Sequence, residues 1–600
     1  MSDAQSGGPA QAPVPATDRS ALRQVVARYL PIVGWLPGYD RADLRFDAIA
    51  GIVSWGVMVP VAMAYAGLAG MPPETGLVTA FAAMTAYAIF GTSRHLKVTA
   101  SSSVAILSAS VVGAILSSQN PSTYVLLSAG LALIVGIILV VAGAARLGFL
   151  SQFLAASVVT GFVIGLAVTI TIGQLPGLLG VPPVDGTTVQ KLVGIAQEML
   201  GLTTPATAIL GVGSLVGILA LKRIAPRIPG ALIALVVGIV LSTALDLSGH
   251  GVAVVGEIDT GVPLPSIPRF SFSDLVFLVT GAFGIVFLAL AESIGAARSF
   301  GARHGYEVDP DQELIALGAS NVASGLFGGF TVDASFSQSA TAESAGARTQ
   351  VSSLITAGLV LATAIVLAPI FRNLPTAVLA AIVIVSVVGL VDLGELRRYY
   401  AWKRTDFLLA ITALIGVVST TALTGMAIAG ALSLLAILYQ ASRPYIAVLG
   451  RIPGTPPVFA DADRHPTAEA VEGFLLLRPN VPLTFVNADV AKDQIVALVR
   501  GQPAGLRALV LDIGATADLD VATTDMLAAL FTELRGAGVE LRLAQVRGSV
   551  RDRMRRTGLV DLIGEARWFL SDEAAVAAPF AERAAPNGEA PPTVDAGEAR

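Results

Sequence analysis

Between Phe46 and Ala441 the chain is a succession of apolar runs, each broken by a few polar residues or by Gly and Pro. A membrane-spanning helix needs about 20 mostly apolar residues, and the punctuation divides this region into about 14 such segments. They begin near Ile49, Gly76, Thr99, Val125, Leu150, Ala206, Ala231, Leu275, Glu313, Ser335, Val351, Ala377, Phe407 and Ala422. An even number returns the chain to the side on which it started. Charged residues are sparse from Ala48 to Ala441 and return to ordinary density after Ser442, which marks the main domain boundary.

The basic residues orient the segments, because cytoplasmic loops carry the excess of Lys and Arg. With the N-terminus inside, the inner loops hold Arg94 and Lys97, Arg146, Lys222 with Arg223 and Arg227, Arg298 with Arg303, Arg348, and the cluster Arg397, Arg398, Lys403 and Arg404. The outer loops hold Lys191, Arg269 and Arg372. The opposite orientation would also require translocating Arg19, Arg23, Arg28, Arg41 and Arg45. A multi-pass protein of the cell membrane with both termini cytoplasmic is therefore expected.

Composition supports a lipid environment and removes several functions. Of 600 residues, 54% are apolar and 14% charged, a balance that a water-soluble chain of this size cannot spread over its surface. The net charge of −5 offers no footprint for nucleic acid. Cysteine is absent, so there is no thiolate nucleophile or zinc-thiolate site. His95, His250, His304 and His465 are scattered with no pair at ligand spacing, so no metal site and no cofactor is expected. No constellation of nucleophile, base and metal points to an enzyme. The start of the chain lacks the basic-then-apolar pattern of a cleaved signal peptide, leaving the first span as the targeting signal.

Two segments are unusually short and polar, the third, VTASSSVAIL from Val98, and the tenth, DASFSQSATAESAGA from Asp333. They occupy corresponding places if the spans form two inverted repeats of seven, a core and a gate domain, although no sequence repeat is visible. Interrupted helices in such transporters point their N-termini at the substrate, and the positive dipole end with its free N–H groups suits an anion. The serines at these starts also read as ordinary helix caps. The glycines from Gly325 to Gly329 are followed by no Lys-Ser/Thr signature and read as a kink or close contact rather than a phosphate loop. Glu292 lies inside the apolar run LVFLVTGAFGIVFLALAESIGAA, where a carboxylate is expensive and usually functional. The alternatives for it are snorkelling to the interface or pairing with Arg298. Glu343, late in its span, reads as an interface residue.

The chain resembles the sulfate permease family over roughly Phe46 to Ala575. The resemblance rests on PVAMAYAGLAGMPPETGL from Pro60, GTSRH from Gly91, ESIGAARSFGARHGYEVDPDQELIALGASN from Glu292, and SFSQSA followed by GARTQ around the tenth span. It implies an anion held between the N-termini of the third and tenth spans and closed in by first- and eighth-span side chains. The matching positions are Tyr65 in the first span, Ala100, Ser101 and Ser102 in the third, and Ser335, Phe336 and Ser337 in the tenth. Three departures stand out: Val61 replaces the usual glutamine, Thr99-Ala100 the usual Gly-Pro, and Gln338 the usual arginine. The last removes a fixed positive charge from the expected site. For Tyr65 helix packing remains an equal alternative. Sodium-dependent relatives carry an aspartate at the Glu292 position and a hydroxyl one turn later, where this chain has Ala296.

The region after Ser442 reads as a linker over 442–470, Pro-rich from Arg451 to Pro457, then a small α/β domain over 471–580 and a disordered tail over 581–600; the segment 1–45 precedes the membrane. Strands are predicted at Gly473–Arg478, Leu483–Asn487, Arg507–Ile513 and Val539–Val546, and helices at Ala488–Val499, Thr523–Arg535 and Val550–Thr557. The order resembles a STAS domain, which in relatives supports folding, dimer contacts and regulation. The phosphorylated serine of anti-sigma-factor antagonists of that fold has no hydroxyl counterpart in Asp520-Val521-Ala522.

The expected fold is therefore mostly α-helical in the membrane with a soluble α/β domain at the C-terminus. The expected function is secondary active transport of sulfate, bicarbonate or a small dicarboxylate by an elevator-like movement, in a homodimer. Protons are the expected coupling ion through Glu292, whose burial disfavours the ionised form. Sodium coupling, an uncoupled channel or exchanger, and an anion receptor signalling through the α/β domain are the alternatives.

Overall fold

In the computed structural model, residues 29–580 are described apart from 116–120, 153–155, 183, 185, 199–204, 226–228, 258–260, 262–263, 390, 421 and 455–457. The expected disordered tail and most of the N-terminal segment lie outside the described residues. The first unit, residues 1–434, is helical: α1 (Leu44–Leu68), α2 (Pro73–Phe90), α3 (Ser102–Ile115), α4 (Pro121–Ala144), α5 (Ala156–Leu179), α6 (Thr188–Glu198), α7 (Pro205–Ile224) and α8 (Gly230–Ala244). They are followed by α9 (Phe272–His304), α10 (Pro310–Leu326), α11 (Phe336–Ser344), α12 (Val351–Ala362), α13 (Thr376–Val388), α14 (Leu393–Trp402), α15 (Arg404–Ser419) and α16 (Ala422–Ser442). Two short strands interrupt them, β1 (Val98–Thr99) before α3 and β2 (Asp333–Ala334) before α11.

Among the described residues, seven helices are long and apolar enough to cross a membrane, and α3, α8 and part of α16 are shorter apolar helices. The start positions expected from the hydropathy pattern fall on helices or at their entries, Thr99 at the end of the strand that leads into α3 and Ser335 directly before α11. The pattern missed α6 and α14, whose charged faces break the apolar runs. With those two included, the order of elements repeats. A strand precedes the third helix of each set of eight, and a short polar helix, α6 or α14, stands sixth in each.

Local chemistry sets the ends. Pro73 and Pro310 occupy first-turn positions where no N–H is needed, and Asp309 caps α10 by accepting from the Asp311 and Gln312 N–H groups. A capping box of Ser271 and Asp274 opens α9, and Gly305, in the left-handed conformation at φ 68°, closes it.

Helices α1–α4 pack with α9–α12, whereas α5 and α7 pack with α13 and α5 with α15. The two groups meet where α1 touches α8 and α13. Small residues allow the closest approaches, as expected where backbone contact replaces a hydrophobic driving force. A Cβ on Gly318 of α10 would lie 2.7 Å from the Gly136 carbonyl of α4, and one on Gly136 equally close to the Gly318 carbonyl. Gly329, in the glycine run, presses on Thr79, whose hydroxyl accepts from the Phe330 N–H at 3.2 Å. That run is a close contact.

The second unit, residues 435–600, contains a six-stranded sheet in the order β4-β3-β5-β6-β7-β8. The strands are β3 (Ile446–Arg451), β4 (Phe459–Asp461), β5 (Phe474–Pro479), β6 (Ala508–Asp512), β7 (Glu540–Ala544) and β8 (Trp568–Phe569). β5 to β8 are parallel, and β3 runs antiparallel to both β4 and β5. Helices α17 (Ala488–Arg500), α18 (Val521–Gly536), α19 (Gly548–Arg556), α20 (Leu559–Ile563) and α21 (Asp572–Ala577) complete it. Part of the segment read as a linker, 442–470, thus supplies two strands. Leu483–Asn487 is not the strand expected from its apolar residues: the Asn487 Oδ1 accepts from the Thr484 N–H at 3.0 Å, which turns the chain, and Phe485 is exposed. α18 begins at Val521, earlier than expected, because Asp520 rather than a threonine caps it. Burial raises the Asp520 carboxyl, but the N–H groups of Thr523 and Phe485 outweigh it and hold the group below its ordinary value.

Two outcomes follow from these contacts. Gly318→Leu should abolish the monodisperse peak in detergent size-exclusion, whereas Gly217→Leu, with open space at its Cβ position, should leave it. Asp520→Ala should cost about 1 kcal/mol at neutral pH. Because the folded carboxyl is depressed, that contribution is present above its unfolded pKa and disappears as pH falls through the folded one. Denaturant midpoints of wild type and variant should therefore converge in acid.

Candidate functional site

The site is built on β1 and β2, which pair antiparallel with Val98 opposite Ala334 and Thr99 opposite Asp333. The Ser335 N–H donates to the Lys97 carbonyl at 2.9 Å and extends the pairing. Side chains take the remaining backbone groups. Asn321 of α10 bridges both backbone groups of Val332, Ser293 of α9 accepts from the Ala334 N–H at 3.0 Å, and Ser339 accepts from the Lys97 N–H at 2.8 Å. Two short helices, α3 and α11, start from this bridge, and their first-turn N–H groups carry the positive ends of their dipoles.

Ser101 precedes α3 and accepts weakly from the Val104 N–H at 3.4 Å; Ser335 caps α11 by accepting from the Gln338 N–H at 3.4 Å. Ala100, Ser101, Ser102 and Gln338 are buried, and the Gln338 Oε1 has no hydrogen-bond partner among the described residues. Tyr65 of α1 is buried with its hydroxyl facing Ser102 and Ser386 of α13. Ser386 lies in a run read only as apolar, and nothing in its sequence marks it. Phe336 and Ser337 are exposed at the α11 entry, the Phe336 ring lying 5.4 Å from that of Phe300.

Glu292 forms no ion pair with Arg298 among the described residues. Its Oε1 is buried without a hydrogen-bond partner among the described residues, although the residue as a whole is partly exposed. Its carboxyl faces that of Asp333 and the Ser103 hydroxyl. Gly295, one turn on, is exposed, with open space where a Cβ would be. Asp333 went unremarked in the sequence as an ionisable group because it heads a polar segment. The available signal was a carboxylate within the apolar stretch from Gly329 to Ala334. Glu343 instead joins two exposed side chains, accepting from Arg303 at 3.1 Å and contacting His304 at 2.6 Å.

The sequence elements that carried the resemblance interlock. Glu313, buried at the start of α10, accepts from the Tyr87 hydroxyl at 2.6 Å, the Thr92 N–H at 2.7 Å, the Thr92 hydroxyl at 2.5 Å and the Ser93 N–H at 3.1 Å. Gln312 donates to the Phe90 carbonyl at 2.8 Å, and Gln350 donates to the carbonyls of Ser93 at 2.7 Å and Leu96 at 2.8 Å. The GTSRH turn is therefore clasped by the Gln-Glu of α10 and the glutamine of GARTQ, which fixes the chain just before β1.

Residues 44–413 match the model of the sulfate permease family. The chain belongs to the sulfate permease family. A second match, to the STAS domain, covers residues 465–575. The chain is 34% identical over 551 residues to a probable sulfate transporter of Mycobacterium tuberculosis, covering 91% of this chain and 98% of the relative. It is 30% identical to high affinity sulfate transporter 2 of Stylosanthes hamata, covering 93% and 88%. Its fold matches the murine Slc26a9 anion transporter in the inward-facing state with a TM-score of 0.84 at 23% identity, covering 94% and 96%. The transmembrane domain of the cyanobacterial bicarbonate transporter BicA matches at 0.58 and 23% identity, covering 65% and 98%. As a sulfate permease family member the chain is a multi-pass membrane anion transporter with a C-terminal STAS domain, and not an enzyme.

The clasp gives this family architecture a measurable stability. Glu313→Ala strands several buried donors, so it should cost about 3–5 kcal/mol and lower the thermal midpoint in detergent far more than Glu343→Ala, whose partners are exposed.

Proposed function

We propose that this chain is a secondary active transporter that takes up sulfate, bicarbonate or a small dicarboxylate by proton coupling through Glu292. Sulfate ranks first on the names of the relatives. The observation that carries the proposal is the β1–β2 bridge, which starts α3 and α11 side by side. Two helix N-termini there supply N–H donors and positive dipole ends, with Ser101, Ser102, Ser335 and Ser337 as hydroxyl donors and Tyr65 and Phe336 as apolar walls. Gln338 replaces a fixed cation with a neutral amide, so affinity is modest and the charge of the anion must be met by dipoles and a proton. Protonation of Glu292 cancels charge moved with the anion and lowers the cost of carrying the loaded site through the membrane.

The fourteen spans are read as two inverted repeats of seven, with α6 and α14 lying outside the count. The repeated element order and the separate packing of α1–α4 with α9–α12 support a core that shifts like an elevator against a gate. The protein is proposed to sit in the cell membrane as a homodimer with both termini cytoplasmic. Sodium is the weaker coupling ion because Ala296 offers no oxygen one turn after Glu292.

Counterflow in proteoliposomes across sulfate, bicarbonate and succinate identifies the anion. Uptake of that anion should rise with an inward proton gradient and ignore sodium, and Glu292→Gln should lose accumulation while exchange survives. Sodium-stimulated uptake at fixed pH, or accumulation by Glu292→Gln equal to wild type, would refute the coupling. Gln338→Arg should tighten anion binding several-fold; an unchanged affinity would remove Gln338 from the site.

A further inference from the structure

Asp333 is the buried ionisable group that anion binding by the helix ends leaves unexplained. It is fully buried, and neither carboxylate oxygen has a hydrogen-bond partner among the described residues. Its position is not adjustable, because its backbone pairs with Thr99 and the next N–H, that of Ala334, is held by Ser293. Ser293 follows Glu292 in the chain, so this one bond sets α9 against β2 and brings the two carboxyls face to face. The other groups facing the pair are uncharged: Ser101 before α3, Ser103 within it, and Tyr65 of α1. Lys97, two residues before Thr99, turns its ammonium to Ser352 at 3.3 Å and Ser353 at 3.1 Å of α12. Glu313 of α10 is taken up by the GTSRH clasp. Among the described residues no Lys or Arg forms an ion pair with Glu292 or Asp333.

We propose that Asp333 and Glu292 form one proton-coupling unit, a carboxyl–carboxylate pair that holds a shared proton when the anion site is empty and gains a second when an anion binds. The inference rests on proton coupling at Glu292 and adds its partner. Two ionised carboxyls facing each other in a low-dielectric region repel strongly, and sharing one proton removes that repulsion while satisfying the otherwise partnerless oxygens. The empty pair then carries one negative charge. An anion at the nearby helix ends raises the cost of that charge, and a proton from the open side neutralises it. On the opposite side the anion leaves and the same proton returns to water, so each cycle moves one proton with one anion and the shared proton stays. Asp333 is thus a residue that sets the proton affinity of Glu292 and the charge of the returning carrier.

The test is the pH dependence of uptake in proteoliposomes with radiolabelled sulfate, and bicarbonate and succinate as parallel probes. Without the shared proton that stabilises the anionic pair, Glu292 takes up its proton more readily, so Asp333→Asn should move the midpoint of the pH profile by about one unit towards alkaline pH. Asp333→Ser, which keeps a small hydrogen-bonding side chain, is the second variant and should move it in the same direction. In weakly buffered detergent solution, wild type should take up close to one proton per anion bound near its midpoint. Both variants should take up clearly less at that pH. A midpoint and proton uptake equal to wild type in either folded variant would overturn the pair while leaving proton coupling at Glu292 intact. Failure of both variants to fold would assign Asp333 to packing and overturn it too. Uptake that requires sodium, with the requirement raised in the variants, would assign the pair to a metal cation. Wild-type uptake indifferent to pH would overturn the pair and the coupling together.

Discussion

A helix that breaks off inside a membrane leaves backbone N–H and C=O groups with no water to meet them, and this constraint organises the first unit of the chain. Its solution is the β1–β2 bridge, in which residues 97–99 and 333–335 satisfy one another. Side chains then complete the bridge from α9, α10 and α11: Ser293, Asn321 and Ser339 each take backbone groups beside the strands. The clasp of Glu313, Gln312 and Gln350 on the GTSRH turn fixes the entry to β1. What remains open are the first turns of α3 and α11, where unsatisfied donors are suited to an anion.

The bridge also decides where charge can sit. Any side chain attached to it is buried by construction, and Asp333 is carried into the region whether or not a cation accompanies it. The family position that resembles an arginine site holds Gln338, so the proposed pocket combines two carboxyls with neutral donors. In the proposed mechanism a proton therefore enters with the anion. Chemistry of this kind makes the loss of arginine and the presence of the carboxyls parts of one proposal rather than separate oddities.

Much of this was legible in the sequence, for reasons that differ by element. The spans follow from apolar length, and the short third and tenth segments are visible as polar interruptions, Val98 to Leu107 and Asp333 onward. α6 and α14 escaped because short helices with charged faces look like loops in a hydropathy profile. Leu483–Asn487 was misread because alternation of apolar residues does not reveal the Asn487 turn, and β3 was hidden by the prolines that follow it. At the proposed site, Ser101, Ser102 and Glu292 declare themselves by type and context. Ser386 does not, since only the fold brings it to Tyr65. The pairing of Asp333 with Glu292 is likewise a product of the β2–α9 hydrogen bond and has no signature in spacing.

The central claim is that the anion lies between the starts of α3 and α11. Selenate carries the shape and charge of sulfate and an anomalous scatterer, so a crystal structure of the selenate complex locates it directly. An anomalous peak within hydrogen-bonding distance of both Ser101 or Ser102 and Ser335 or Ser337 is the predicted result. A bound selenate away from both helix starts would contradict the account.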